Sequence, residues 1–140
     1  MAQSGHGTRL RMSTTTRGGV HVLTVSGEVD IQVRAEFRER LIEAVDGANS
    51  PLVIDLSGVD FIEASGFIAL VEAQERMNAR PDKLYIVVQN PLVRRLFSIL
   101  RLDAFFDLYT ATKDALAAAA TGIEAAAMPD RGAAREARQA

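Results

Sequence analysis

The chain has 140 residues, of which 48% are hydrophobic and 24% charged, with a formal net charge of -2. That is room for one domain with a real core, and the slight acidity argues against a nucleic-acid partner, which needs a basic face that neutralises several phosphates. Cysteine is absent, which excludes disulfides and thiolate metal sites. No cationic-then-apolar leader or apolar run near the roughly 20 residues that span a bilayer is visible, so a cytoplasmic protein with no membrane segment is expected.

Residues 1–7, MAQSGHG, are small, polar and aperiodic, and disorder is expected there. TRLRMSTTT and VHVLTVSG flank Arg17-Gly18-Gly19, and their β-branched, partly alternating content predicts an antiparallel hairpin. From Val33 to about Gly47 the spacing becomes helical, with Phe37, Leu41, Ala44 and Val45 on one stripe and Glu36 set to pair with Arg40 one turn on. NSPLVIDLSGV supplies turn residues and then a short, nearly continuous apolar strand of the kind buried on both faces of a parallel sheet.

A second helix carries Phe67, Leu70, Val71, Gln74 and Met77 at helical spacing, with Glu72, Glu75 and Arg76 turned outward. LYIVV reads as a buried strand. NPLVRRLFSIL opens with Asn90 as a cap and Pro91 in the first turn, and its apolar stripe is Leu92, Val93, Leu96, Phe97 and Leu100, with Arg94 and Arg95 on a solvated face. FFDLY is a last short strand, Thr112 is the expected cap of the final helix, and the alanine- and arginine-rich residues 121–140 read as a disordered or loosely helical tail. Strands alternating with helices predict an α/β domain over residues 8–120: a mixed, mostly parallel sheet of about five strands with four helices.

Glu63, Ala64, Ser65 and Gly66 interrupt an apolar run where a strand gives way to a helix, at the carboxyl edge on which such sheets place their sites. As a bare pattern, Ser65 is a helix cap contributing about 1 kcal/mol, with Gly66 giving the backbone room. As a nucleophile it would need a base, and the histidines are His6 in the N-terminal segment and His21 inside a predicted strand; no phosphate-binding glycine loop or metal-ligand cluster is present either. An enzyme, a cofactor and a metal are therefore not expected. As a substrate, a phosphate on Ser65 would lie against first-turn amides and the positive end of the helix dipole, adding about 1.5 to 2 negative charges to a surface already carrying Glu63 and Asp30.

LVIDLSGVDFIEASGFIALVEA resembles the central segment of STAS domains of the anti-sigma factor antagonist type: an apolar strand, Asp-Leu-Ser, a loop, then Asp-Ser-Ser-Gly opening a helix. VSGEVDIQVRAEFRERL resembles that family's Gly-Glu-x-Asp segment and first helix, and NPLVRRLFSILRLDAFFDLYTATKDAL its C-terminal third. The resemblance implies the STAS fold and a bacterial regulator of transcription that works by partner switching. The unphosphorylated form would bind an anti-sigma factor, a serine kinase with a histidine-kinase-like ATP fold, and free the sigma factor; phosphorylation would end binding, and a serine phosphatase would reset it.

By position the phosphoacceptor is Ser65 and the partner-facing set is Asp30, Glu63, Ala64, Ser65, Gly66 and Phe67. Glu63 replaces the usual Asp, Ala64 the first hydroxyl, and Phe67-Ile68 the commoner Leu-Gly. Phe67 and Ile68 could each pack inward or enlarge an apolar docking patch; helical spacing favours packing for Phe67. Two other readings predict different behaviour: a STAS subunit docking on a transporter ATPase, and a small nucleotide-binding enzyme.

Overall fold

The structure, a computed structural model, describes residues 9–127. The expectations for residues 1–7 and for 128–140 lie outside that span. β1 (Arg11–Arg17) and β2 (Val20–Val29) form the predicted hairpin, and then come α1 (Arg34–Gly47), β3 (Leu52–Ile62), α2 (Ala64–Asn78), β4 (Leu84–Val87), α3 (Pro91–Ile99), β5 (Asp107–Tyr109) and α4 (Thr112–Ala127). The sheet order is β1-β2-β3-β4-β5, antiparallel only between β1 and β2. The hairpin turns where Gly18 and Gly19 take φ of 55° and 82°, the left-handed region that glycine enters without strain.

Each crossover after β2 steps one strand further in the same direction, so α1, α2 and α3 pack on one face of the sheet. The main core lies there, with Phe37 and Leu41 from α1, Phe67, Leu70 and Met77 from α2, and Val93 and Phe97 from α3 against Leu23, Val25, Ile54, Leu56 and Ile86. The opposite face holds a smaller cluster in which Ala115 and Ala119 of α4 meet Val22, Val53, Tyr85 and Val87. Alternation along β3 and β4 sends neighbouring apolar residues to opposite clusters, which explains their continuous apolar runs. α4 continues to Ala127, past the boundary expected at Ala120.

Several local expectations change. β3 runs on to Ile62 instead of stopping after Asp-Leu-Ser, because it gains a residue on β2 at each of two irregularities, between Thr24 and Ser26 and between Gly27 and Glu28. Those insertions rephase its inward side chains, so that Leu56, Val59 and Ile62 all reach the main core. Arg40 does not pair with Glu36; its guanidinium donates to the Met12 carbonyl at 2.9 Å, tying α1 to β1. In α2 the fully buried positions include Ala69 and Ala73, whereas Val71 and Gln74 are half-buried.

In α3 only Val93 and Phe97 are buried, while Leu92 and Leu100 stay 51% and 48% exposed. The Asn90 side chain accepts from the Leu92 amide at 2.8 Å, the expected cap. Thr112 does not cap α4; its hydroxyl donates to Asp55 Oδ2 at 3.1 Å, fastening that helix to β3.

α3 ends in a tight reversal: the Leu102 amide donates to the Phe97 carbonyl at 2.8 Å and the Arg101 amide to Ser98 at 3.0 Å. The motif requires a left-handed residue between them, and Arg101 fills it at φ 59°, where glycine is the usual occupant. Arg101→Gly is expected to stabilise the domain by about 0.5–1 kcal/mol, since relief of the left-handed strain exceeds the added freedom of the unfolded chain. Urea unfolding of the two proteins measures it.

Candidate functional site

The site sits at the carboxyl ends of β2 and β3, where the sheet's last paired residues are Val29 and Ile62. One residue beyond, the Glu63 amide donates to the Val29 carbonyl at 2.8 Å. The ladder therefore runs directly into the start of α2. After Val29 the chain turns through Asp30, whose Oδ1 accepts from the Gln32 amide at 3.0 Å and the Val33 amide at 3.2 Å. Such a side-chain-closed turn leads into α1, which has no side-chain cap of its own at Val33. Asp30 thus organises the backbone here, a role that its reading as a loop acid for partner contact did not include.

At α2 the cap is Glu63, not Ser65. Glu63 has extended backbone angles (φ -79°, ψ 161°), and its Oε2 accepts from the Ser65 amide at 2.9 Å. The same oxygen accepts from the Ser65 hydroxyl in a second, very short contact. The Glu63 side chain folds back over the first turn, so that one oxygen takes both hydrogens. These two donations, the hydroxyl first and the amide second, hold the Glu63 carboxyl below its ordinary value of 4.5; partial desolvation opposes them and Arg34 adds a weaker attraction. Ser65 itself lies within the first turn, half-buried, with Ala64 exposed before it.

Gly66 is buried because nothing larger fits. A Cβ built on it would stand 2.6 Å from Ile62 Cγ2 and 3.0 Å from Val29 Cγ1. The helix start is pressed onto the last rung of the ladder, which fixes how far Ser65 stands above it. Phe67 is 4% exposed and meets Phe97 edge-on at a centroid separation of 5.0 Å, so the inward reading holds and its ring lies in the core rather than on the surface. The segments that meet at this edge carry three exposed large apolar residues: Ile31 at 58%, Phe61 at 38% and Ile68 at 69%. Ile31 and Phe61 escaped sequence reasoning; the available signal was an apolar residue beside the end of each strand, off any buried stripe.

The structure thus brings Asp30, Glu63, Ala64, Ser65 and Gly66 to one edge. His21 opens β2 at the opposite end of that strand and lies nowhere near Ser65. Among the described residues no group of three or more His, Asp or Glu is placed to hold a metal ion. No described helix is long and apolar enough to cross a membrane. Asp103, Arg94 and Arg95 line a shallow groove between α3 and β5, away from Ser65.

Residues 11–115 match the family model of the STAS domain. The chain is 31% identical over 107 residues to the anti-sigma-F factor antagonist RsfB of Mycobacterium tuberculosis, a match covering 76% of this chain and 87% of the relative. Among solved structures, an anti-sigma factor antagonist from Mycobacterium paratuberculosis superposes with a TM-score of 0.74 at 30% identity, over 79% of this chain and 94% of that one. The Bacillus cell fate determinant SpoIIAA in its phosphorylated form shares the fold at a TM-score of 0.56 and 18% identity, over 76% and 96%.

Gly66→Ala is expected to cost about 1–3 kcal/mol, because the added methyl must displace Ile62 or Val29 from well-packed positions. Thermal unfolding would show it, and a variant as stable as the parent would mean that the helix start is free to lift.

Proposed function

This chain belongs to the STAS domain family, and from that premise we propose that it is an anti-sigma factor antagonist whose binding is controlled at Ser65. In this reading the unphosphorylated protein captures an anti-sigma factor serine kinase and so releases the sigma factor. The observation that carries it is the position of Ser65: a hydroxyl in the first turn of α2, just past the carboxyl ends of β2 and β3, on segments that also carry the exposed apolar residues Ile31, Phe61 and Ile68. Exposed apolar residues supply area that a partner can bury, and the serine adds a chargeable group to the same segments.

Phosphorylation would form a bond from Ser65 Oγ to the γ-phosphorus of the kinase's ATP as the bond to ADP breaks, with the hydroxyl proton released to solvent. The product carries about 1.5 to 2 extra negative charges beside Glu63 and Asp30, opposite whatever surface had docked there. Each 1.4 kcal/mol of repulsion or desolvation weakens binding about tenfold, so a few kcal/mol end capture. A serine phosphatase would restore it. A protein of the same fold exists in a phosphorylated form, and the anti-sigma factor antagonists among the relatives supply the partner class. The activity is binding, exercised in the cytoplasm where sigma factors act; among the described residues the partner of the Ser65 hydroxyl is the Glu63 carboxylate.

Incubation with ATP and each candidate anti-sigma kinase from the same genome, followed by intact-mass spectrometry, tests this. A single phosphate is expected, lost in Ser65→Ala; a stable complex that never gains a phosphate would instead indicate a docking module of the transporter type. In titrations, Ser65→Asp should bind the kinase at least tenfold more weakly, about 1.4 kcal/mol, while Ser65→Ala stays close to the parent. Equal binding by the two would end the switch reading.

Asp30 needs a gentler variant, because Asp30→Ala also removes its turn bonds and about 1 kcal/mol of stability. Asp30→Asn keeps an acceptor for both amides and removes only the charge. It is expected to weaken capture with an unchanged unfolding midpoint; unchanged affinity would assign Asp30 to the turn alone.

A further inference from the structure

Ser65 has two hydrogens to give, one on its amide and one on its hydroxyl, and Glu63 Oε2 accepts both. The arrangement depends on the hydroxyl being free. A phosphoryl group on Oγ removes the hydroxyl hydrogen and turns the contact into one between a carboxylate and a phosphate. The phosphate dianion that prevails above about pH 7 has no hydrogen to offer, and Glu63, an ordinary half-exposed carboxyl apart from its bonds to Ser65, is a carboxylate there. At contact distance two such charges repel by several times the thermal energy even under strong screening.

The amide that remains cannot resolve the conflict, since its single hydrogen serves one strong acceptor well. The phosphate is tethered one side chain from it, brings three acceptor oxygens and lies at the positive end of α2. Glu63, by contrast, is half-exposed and precedes the helix, so its side chain has solvent to turn into. Its backbone need not move: the Glu63 amide stays bound to the Val29 carbonyl and the Glu63 carbonyl to the Gly66 amide, both at 2.8 Å.

Resting on the reading of Ser65 as phosphoacceptor, we infer that Glu63 is a two-state positioning residue: it caps α2 while Ser65 is free, and phosphorylation releases it outward as the phosphate takes over the Ser65 amide. The modification then changes the docking edge twice over. It adds the phosphate and unsheathes a carboxylate whose charge had been spent on two hydrogen bonds, on an edge that also presents Asp30.

The test installs phosphoserine at position 65 of the full chain during translation, so no kinase is involved, in the parent and in Glu63→Gln. The glutamine keeps the length and one acceptor but not the charge. In denaturant titrations near pH 7.5, the phosphate is expected to shift the folding equilibrium at least tenfold less favourably in the parent than in Glu63→Gln. In carbon-13 spectra the Glu63 carboxyl resonance should move to the position of a free glutamate. Effects within threefold in the two backgrounds, with an unmoved resonance, would overturn the inference. If the phosphorylated parent does not fold, folding of phosphorylated Glu63→Gln supports it and unfolding of both overturns it. Because phosphoserine is supplied directly, a coupled result together with no kinase that modifies Ser65 would remove the proposed function and leave the exchange standing; modification by a kinase without coupling would do the reverse.

Discussion

The bond from the Glu63 amide to the Val29 carbonyl is the constraint on which the carboxyl edge depends. It continues the parallel ladder by one rung beyond Ile62, so that a residue outside the strand is still placed by the sheet. Gly66 completes the fixation from the other side, since its missing side chain lets the helix start sit on Ile62 and Val29. Between those two points only Ala64 and Ser65 remain, and their heights above the sheet follow. The Asp30 turn begins right after Val29, and so the same rung holds both loops of the site in one frame.

Much of this was legible in the sequence, for physical reasons. The stripe Phe37, Leu41, Ala44 and Val45 is buried as the helical spacing demands, Asn90-Pro91 opens α3, and the Gly18-Gly19 hairpin forms as expected. What failed to show is equally instructive. Leu56, Val59 and Ile62 are three apart, a spacing that fits neither a plain strand nor a long helix, and only insertions against a partner strand make it continuous β-structure. Register between strands is a tertiary fact, and a single chain read residue by residue does not contain it.

The site divides along the same line. Ser65 and Gly66 were identifiable from their types and order, but the cap was assigned to the wrong one of two neighbours. A serine before an apolar run is the commoner cap, and the competing acceptor, Glu63, wins because the rung to Val29 sets its backbone extended while Ser65 is already helical. Arg40 and Thr112 show a similar effect at a distance: each has a local role available on its own helix and takes a partner on another element instead.

The edges of the sheet bear on what this molecule can be assembled into. β5, at one side, has three residues, too few to template a further strand. β1, at the other, offers seven exposed or half-exposed residues, with Arg11 and Arg17 at its ends. A second copy laid antiparallel along its full length would bring Arg11 of each chain against Arg17 of the other, two pairs of like charges at the ends of one short ladder. Among the described residues one border of the sheet is too short to extend and the other penalises its own image, so the composition of its edge strands limits its growth.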